Sequence, residues 1–143
     1  MFRLFMRSFF ALSIMITAVG CTPRSVANPN FKYDKERAKK IIQVSLEEQQ
    51  GGYNLSNIIV SDDRFSAEKT GTKRSIVAGG VAAVQSTHVV YYDRISEFTF
   101  RIKSSCIVVI YGEGHRRLLN LEFPNEKMAR EFINAVHSMR SNI

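Results

Sequence analysis

Two thiols, three imidazoles and a few clustered cations are the groups in this chain with chemistry to offer. Cys21 stands directly after the stretch ITAVG, and Cys106 stands inside SSCIVVIYG. Apolar neighbours on both sides of Cys106 suit a buried strand, where a free cysteine packs as a small hydrophobe. A nucleophilic cysteine needs a nearby cation or histidine and some exposure; the local sequence supplies neither. His88, His115 and His137 lie 27 and 22 residues apart, with no H-x-x-x-H and no cysteine pair. That spacing gives no metal signal, and neither a metal nor a cofactor is expected. His115 falls in a predicted turn and His137 on the outer side of a predicted helix. His88 precedes an apolar strand and could pack against Asp93.

One stretch imitates an acylation site. Ser66-Ala67-Glu68-Lys69 fits S-x-x-K, and Lys69-Thr70-Gly71 fits K-T-G, the two patterns of penicillin-recognising serine enzymes. In those enzymes the first motif opens a helix and the second lies on a distant strand, whereas here both share Lys69. The chain is also far too short for that fold, so the stretch reads as polar and non-catalytic. Gly79-Gly80 is not followed by the Lys-Ser or Lys-Thr of a phosphate loop and reads as a bend. Asn54-Leu55-Ser56 matches a glycosylation acceptor, a short pattern with no catalytic meaning. The basic pairs Lys73-Arg74 and Arg116-Arg117 remain. Because neighbouring side chains on a strand alternate, only one of each pair can face a given side. No set of groups converges on a reaction, and the chain is read as no enzyme.

Cys21 has a different context. MFRLFMR carries Arg3 and Arg7, and an uncharged apolar run, Ser8 to Val19, follows before Gly20. This is the order of a signal peptide. At about 1.5 Å per residue the run covers roughly 18 Å, short of the ~30 Å hydrocarbon core, so a spanning helix is the weaker reading. Ala18-Val19-Gly20-Cys21 resembles the lipobox of bacterial lipoproteins, with Ala18 where leucine is commoner. The resemblance implies that the Cys21 thiol takes a diacylglycerol, that residues 1–20 are cut away and that the new amino group is acylated. Multiple acyl chains hold a protein stably on a bilayer. Thr22 occupies the place where an aspartate implies inner-membrane retention, so an outer-membrane location facing the periplasm is expected. Ala18-Val19-Gly20 also satisfies an ordinary secretion signal, so the alternatives are secretion and an inner-membrane location.

The formal charge is +7 and falls by two when Arg3 and Arg7 leave. Spread along the chain, such an excess first serves as a solvated surface; contact with anionic phosphate is the second reading. The mature chain is one small domain of roughly a hundred residues, a size that can just support a core. Residues 21–33, which include TPRSVANPN, read as a tether. The domain is expected over 34–143.

Asp34 can cap a helix whose stripe is Ala38, Ile41, Ile42, Ser45, Leu46 and Gln49, ended by Gly51-Gly52. Lys32, Lys35, Arg37, Lys39 and Lys40 cluster at its entrance, either as a wet face or against anionic head groups. From Tyr53 onward the period becomes two. NIIVSDDRFSAEK predicts two strands about Asp62-Asp63; KRSIVAGG and VAAVQSTHVVYYDRI predict two more. ISEFTFRIK places Phe98, Phe100 and Ile102 on one face and Glu97, Thr99, Arg101 and Lys103 on the other. SCIVVIYG turns through Gly112-Glu113-Gly114 into HRRLLNLEF. Asn125 caps a last helix with the stripe Met128, Ala129, Phe132, Ile133, Val136 and Met139.

The expected fold is therefore α+β, mainly β: six or seven antiparallel strands in a strongly bent sheet or partly open barrel, an N-terminal helix and a C-terminal capping helix. Tyr91-Tyr92-Asp93-Arg94-Ile95 with its strand, the Cys106 to Tyr111 and Leu118 to Phe123 strands, and the helix presenting Ala129, Phe132 and Val136 resemble pleckstrin-homology-like (PH-like) domains, including the short bacterial and GRAM-type versions, over about 57–139. No tryptophan stands in the last helix, where many eukaryotic members keep one; the departure bears on phosphoinositide binding more than on fold. The resemblance implies that Lys73, Arg74, Arg116 and Arg117 are the cations to consider for an anionic ligand. It points to a non-enzymatic module, tethered to a membrane through its N-terminal lipid, that binds an envelope protein and no nucleic acid. The alternative is a binder of lipid or another anionic small ligand at the barrel rim.

Overall fold

A computed structural model describes residues 32–51, 54–74 and 81–142, the side chains of 72–74 and 81–84 excepted. The expectations for residues 1–20, for Cys21, for the tether up to residue 31 and for Gly79-Gly80 lie outside the described residues. Helix α1 spans Lys35–Glu47 and α2 Glu126–Arg140. Between them come β1 (Asn54–Val60), β2 (Arg64–Arg74), β3 (Val81–Tyr91), β4 (Ile95–Ile102), β5 (Cys106–Gly112) and β6 (Arg116–Phe123). Single 3-10 turns at Tyr92–Arg94 and Glu113–His115 join β3 to β4 and β5 to β6.

Both helices start where a short polar side chain can take an orphan amide. Asp34 accepts from the Arg37 N–H and Asn125 from the Met128 N–H, each cap contributing about 1 kcal/mol. Helix α1 ends at Glu47, earlier than Gly51-Gly52, with the Glu48 N–H closing the last turn on the Val44 carbonyl. The chain then ties down through the Gln50 N–H to the Glu122 carbonyl. Tyr33, read from the sequence as tether, is buried, and its N–H donates to Ser138 Oγ at 3.0 Å. The start of α1 thus lies beside the end of α2, and the pair packs antiparallel.

Among the described residues the strands form two three-stranded antiparallel sheets, β1-β2-β3 and β4-β5-β6, and no closed barrel. The α+β, mainly β class is as expected. One continuous sheet is not observed, because the chain turns through Tyr92–Arg94 after β3 and starts a new sheet at β4. KR of KRSIVAGG completes β2 instead of opening a further strand, which leaves six strands among the described residues.

One apolar cluster joins all the layers. Leu46 and Ile42 of α1, Phe65 and Val90 of the first sheet, Val108, Ile110, Leu121 and Phe123 of the second, and Phe132 and Val136 of α2 belong to it. Phe132 sits centrally, its ring 6.1 Å from Phe65 and 5.3 Å from Phe123. Phe98 and Phe100 turn inward as expected. Ile102 does not: it lies at the end of β4, 55% exposed. Thr99, expected on the face opposite Phe98 and Phe100, is buried too, beside its cross-strand neighbour Val109.

Candidate functional site

Three connections converge at one end of the molecule. The Tyr92 N–H donates to the Asp63 carbonyl at 3.0 Å, tying the turn after β3 to the turn before β2. Gly112, at the end of β5, faces the same turn. A Cβ added to it would lie 3.2 Å from the Arg94 carbonyl oxygen and from both Leu118 methyls, so a side chain there would need these neighbours to give by a few tenths of an ångström. The gap they leave is a cavity of about 580 Å³ lined by Asp93, Arg94, Gly112, Glu113, Arg116 and Leu118. Two guanidinium groups and two carboxylates line it, so it suits a ligand of mixed charge better than a bare anion.

Beside the cavity the outer face of the first sheet is assembled by register. Arg64 pairs with Tyr91; two residues along, Ser66 pairs with Val89 on one side and Ile59 on the other. Residues two apart on a strand share a face, so Arg64, Tyr91, Ile59 and Val89 form one surface. Ile59 is 61% and Val89 45% exposed. The Arg64 and Arg94 guanidinium carbons lie 5.5 and 5.2 Å from the Tyr91 ring centre. Each such contact contributes about 0.5–1 kcal/mol at an exposed site. Asp63 Oδ2, 3.3 Å from Arg64 Nη1, relieves part of the repulsion between the two cations. Arg94 also lines the cavity, so aromatic, apolar and cationic groups run continuously from the sheet into it.

On the second sheet Glu97, Tyr111 and Arg117 lie in register across β4, β5 and β6. His115 stacks on Tyr111 at 4.3 Å with the rings nearly parallel, and its Nδ1 is 3.4 Å from Glu97 Oε2. Its φ of 59° is a conformation few non-glycine residues adopt; the stack and the carboxylate hold it there.

Arg116 and Arg117 are both exposed, but only Arg116 lines the cavity; Arg117 pairs with Tyr111. The backbones of Lys73 and Arg74 lie at the far end of β2, about 30 Å along the strand from Arg64 at ~3.3 Å per residue; their side chains are outside the description. The structure therefore does not gather the four into one patch at the described end. His88 meets Ser86 Oγ at 3.2 Å through Nε2, a contact between second neighbours on β3, and not Asp93, which lines the cavity. Ser66 and Lys69 lie on opposite faces of β2, as their odd spacing requires. Cys106 is buried at the start of β5; burial, and next the Glu126 charge, push its thiol pKa up, with Arg130 opposing. Among the described residues no group of three or more His, Cys, Asp or Glu is placed to hold a metal ion, and no helix is long and apolar enough to cross a membrane.

Sequence reasoning missed Arg64, Ile59 and Val89, and treated Tyr91 and Arg94 only as carriers of a fold. The available signal was the alternation on either side of Asp62-Asp63, which already puts Arg64 and Ser66 on the face opposite Phe65. No family model, no curated protein and no solved structure matches the chain.

Proposed function

We propose that the chain is a membrane-anchored lipoprotein of a bacterial envelope, acylated at Cys21 and held at the outer membrane facing the periplasm, whose PH-like domain is a non-enzymatic module that binds another envelope protein. The observation that carries the binding reading is Tyr91, reached by Arg64 and Arg94, beside exposed Ile59 and Val89. Tyrosine and arginine are the residue types that dominate interface energetics, above all around a small apolar centre. Guanidinium groups take carboxylates in paired hydrogen bonds, so the partner segment that fits is acidic with apolar side chains. The finer PH-like reading is supported by two antiparallel sheets capped by α2, with the Phe132 ring between them. The anchor rests on Ala18-Val19-Gly20-Cys21 and the basic and apolar segments before it.

A second reading, a lipid or anionic small-ligand binder, is favoured by the way Arg94 and Arg116 meet at the cavity. Asp93 and Glu113 in the same lining weigh against it. Two measurements separate the readings. A photo-crosslinking residue in place of Val89 should capture one discrete envelope protein in living cells, and the same residue in place of Ile102 should not. Organic extraction of the purified protein should release no stoichiometric lipid beyond the N-terminal acyl chains. A stoichiometric lipid, or equal capture from both positions, overturns the protein-binding reading.

A further inference from the structure

The first described helix carries a second exposed surface, on the layer opposite the sheets. Between α1 and α2 runs a groove of about 280 Å³ lined by Arg37, Lys40, Ile41, Val44 and Ser45 of α1 and by Met128 and Glu131 of α2. Val44, in the last turn of α1, is 40% exposed, a large apolar side chain beside Ile41 and Met128. The cations at the entrance of α1 sort into two groups. Asp62 takes Lys35 at 2.7 Å and also Lys39, and Lys39 further pairs with Glu36. Arg37 and Lys40 have no carboxylate partner among the described residues; Arg37 lies 5.2 Å from the Tyr33 ring, which turns it toward the groove side. Of the four cations on α1 itself, the two left without a carboxylate, Arg37 and Lys40, are therefore the two that border the apolar groove.

We infer that this α1–α2 face rests on the surface of an anionic phospholipid bilayer, with Arg37 and Lys40 at the phosphates and Ile41, Val44 and Met128 at the boundary of the acyl region. The inference rests on the Cys21 anchor. From Cys21 to Lys32 the chain has eleven residues, so covalent geometry keeps Lys32 within about 40 Å of the acylated Cys21. It enters the fold at Tyr33, which is clamped to α2 through Ser138 at the end of this same helical layer. An acylated Cys21 thus brings the helical layer to the membrane first, and cations beside apolar side chains match what an anionic interface takes. The Arg64, Tyr91, Ile59 and Val89 face belongs to the sheet layer and is left to the partner.

The test uses the full-length protein reconstituted in phosphatidylcholine vesicles with and without phosphatidylglycerol, carrying a clickable residue and its fluorophore in place of Val44 or, as control, Ile59. Nitroxide on the lipid head group should quench the label at Val44 several-fold more than the label at Ile59. Removing phosphatidylglycerol, or combining Arg37→Glu with Lys40→Glu, should bring the two together. Equal quenching at both positions in protein that floats with the anionic vesicles overturns the face and leaves the anchor standing. Protein that does not float overturns the anchor; coupling it through the free Cys21 thiol to a maleimide lipid then lets the same comparison decide the face.

Discussion

Tyr92 carries the sharpest single-residue expectation. It is fully buried, its ring 6.0 Å from Phe65, and its hydroxyl has no hydrogen-bond partner among the described residues. A buried hydroxyl without a partner costs about 1–3 kcal/mol, so Tyr92→Phe should raise the melting temperature. Burial, and then the Asp63 and Asp62 charges, push the Tyr92 pKa above the ordinary tyrosine value of 10.0. A raised folded-state pKa means the protonated form is favoured by folding. The contribution is complete below the unfolded value near pH 10 and is lost as pH rises beyond it. Melts at neutral pH and above pH 10 should show the wild type losing more stability on alkalinisation than Tyr92→Phe. Equal losses would place the alkaline sensitivity elsewhere. Cys106 gives a second expectation: buried, with its thiol pKa raised, it should resist a bulky maleimide in the folded protein and react once denaturant is added. Its burial was legible from the apolar residues around it. The orphan hydroxyl of Tyr92 was not, because satisfaction of a polar group depends on neighbours that only the fold brings.

At the level of elements, the helices were legible because caps and stripes are local. Asp34 and Asn125 cap where expected, and the stripe of α2 is buried except for a partly covered Met128. Phe132→Ala removes the ring between Phe65 and Phe123 and should cost roughly 3–5 kcal/mol, a large part of the ~5–15 kcal/mol that holds a domain together. A thermal melt matching wild type would make α2 peripheral. Gly112→Val should press on the Arg94 carbonyl and Leu118, destabilise by about 1–3 kcal/mol and open the turn that positions Arg94. The strands were legible as segments but not as sheets. Alternation says which residues share a face, yet it cannot say that β4 leaves the first sheet or that Ile102 runs past the covered surface while Thr99 is buried.

For the whole molecule, the proposed anchor rests on the sequence and the proposed binding surface on the fold. Acylation at Cys21 predicts that radiolabelled fatty acid enters the protein and that Cys21→Ser abolishes the label and releases the product from the membrane fraction. Unlabelled wild type would leave ordinary secretion. The proposed binding face, by contrast, is built from Arg64 and Tyr91, 27 positions apart in the chain and adjacent only through the β2–β3 register. Long-range pairing of that kind leaves no trace in local periodicity, which is why Lys73-Arg74 and Arg116-Arg117, conspicuous as neighbours in sequence, drew the attention instead. If the helical layer rests on the membrane as proposed, the Arg64, Tyr91 and Arg94 surface is left facing away from it. The central claim is tested most directly by the yield of the crosslink formed in cells through position 89, compared between wild type and the Arg64→Glu, Arg94→Glu double variant, at equal expression, acylation and melting temperature. The account predicts that charge reversal removes most of the crosslinked product, at least tenfold if two charge-assisted contacts are lost; an unchanged yield would contradict it.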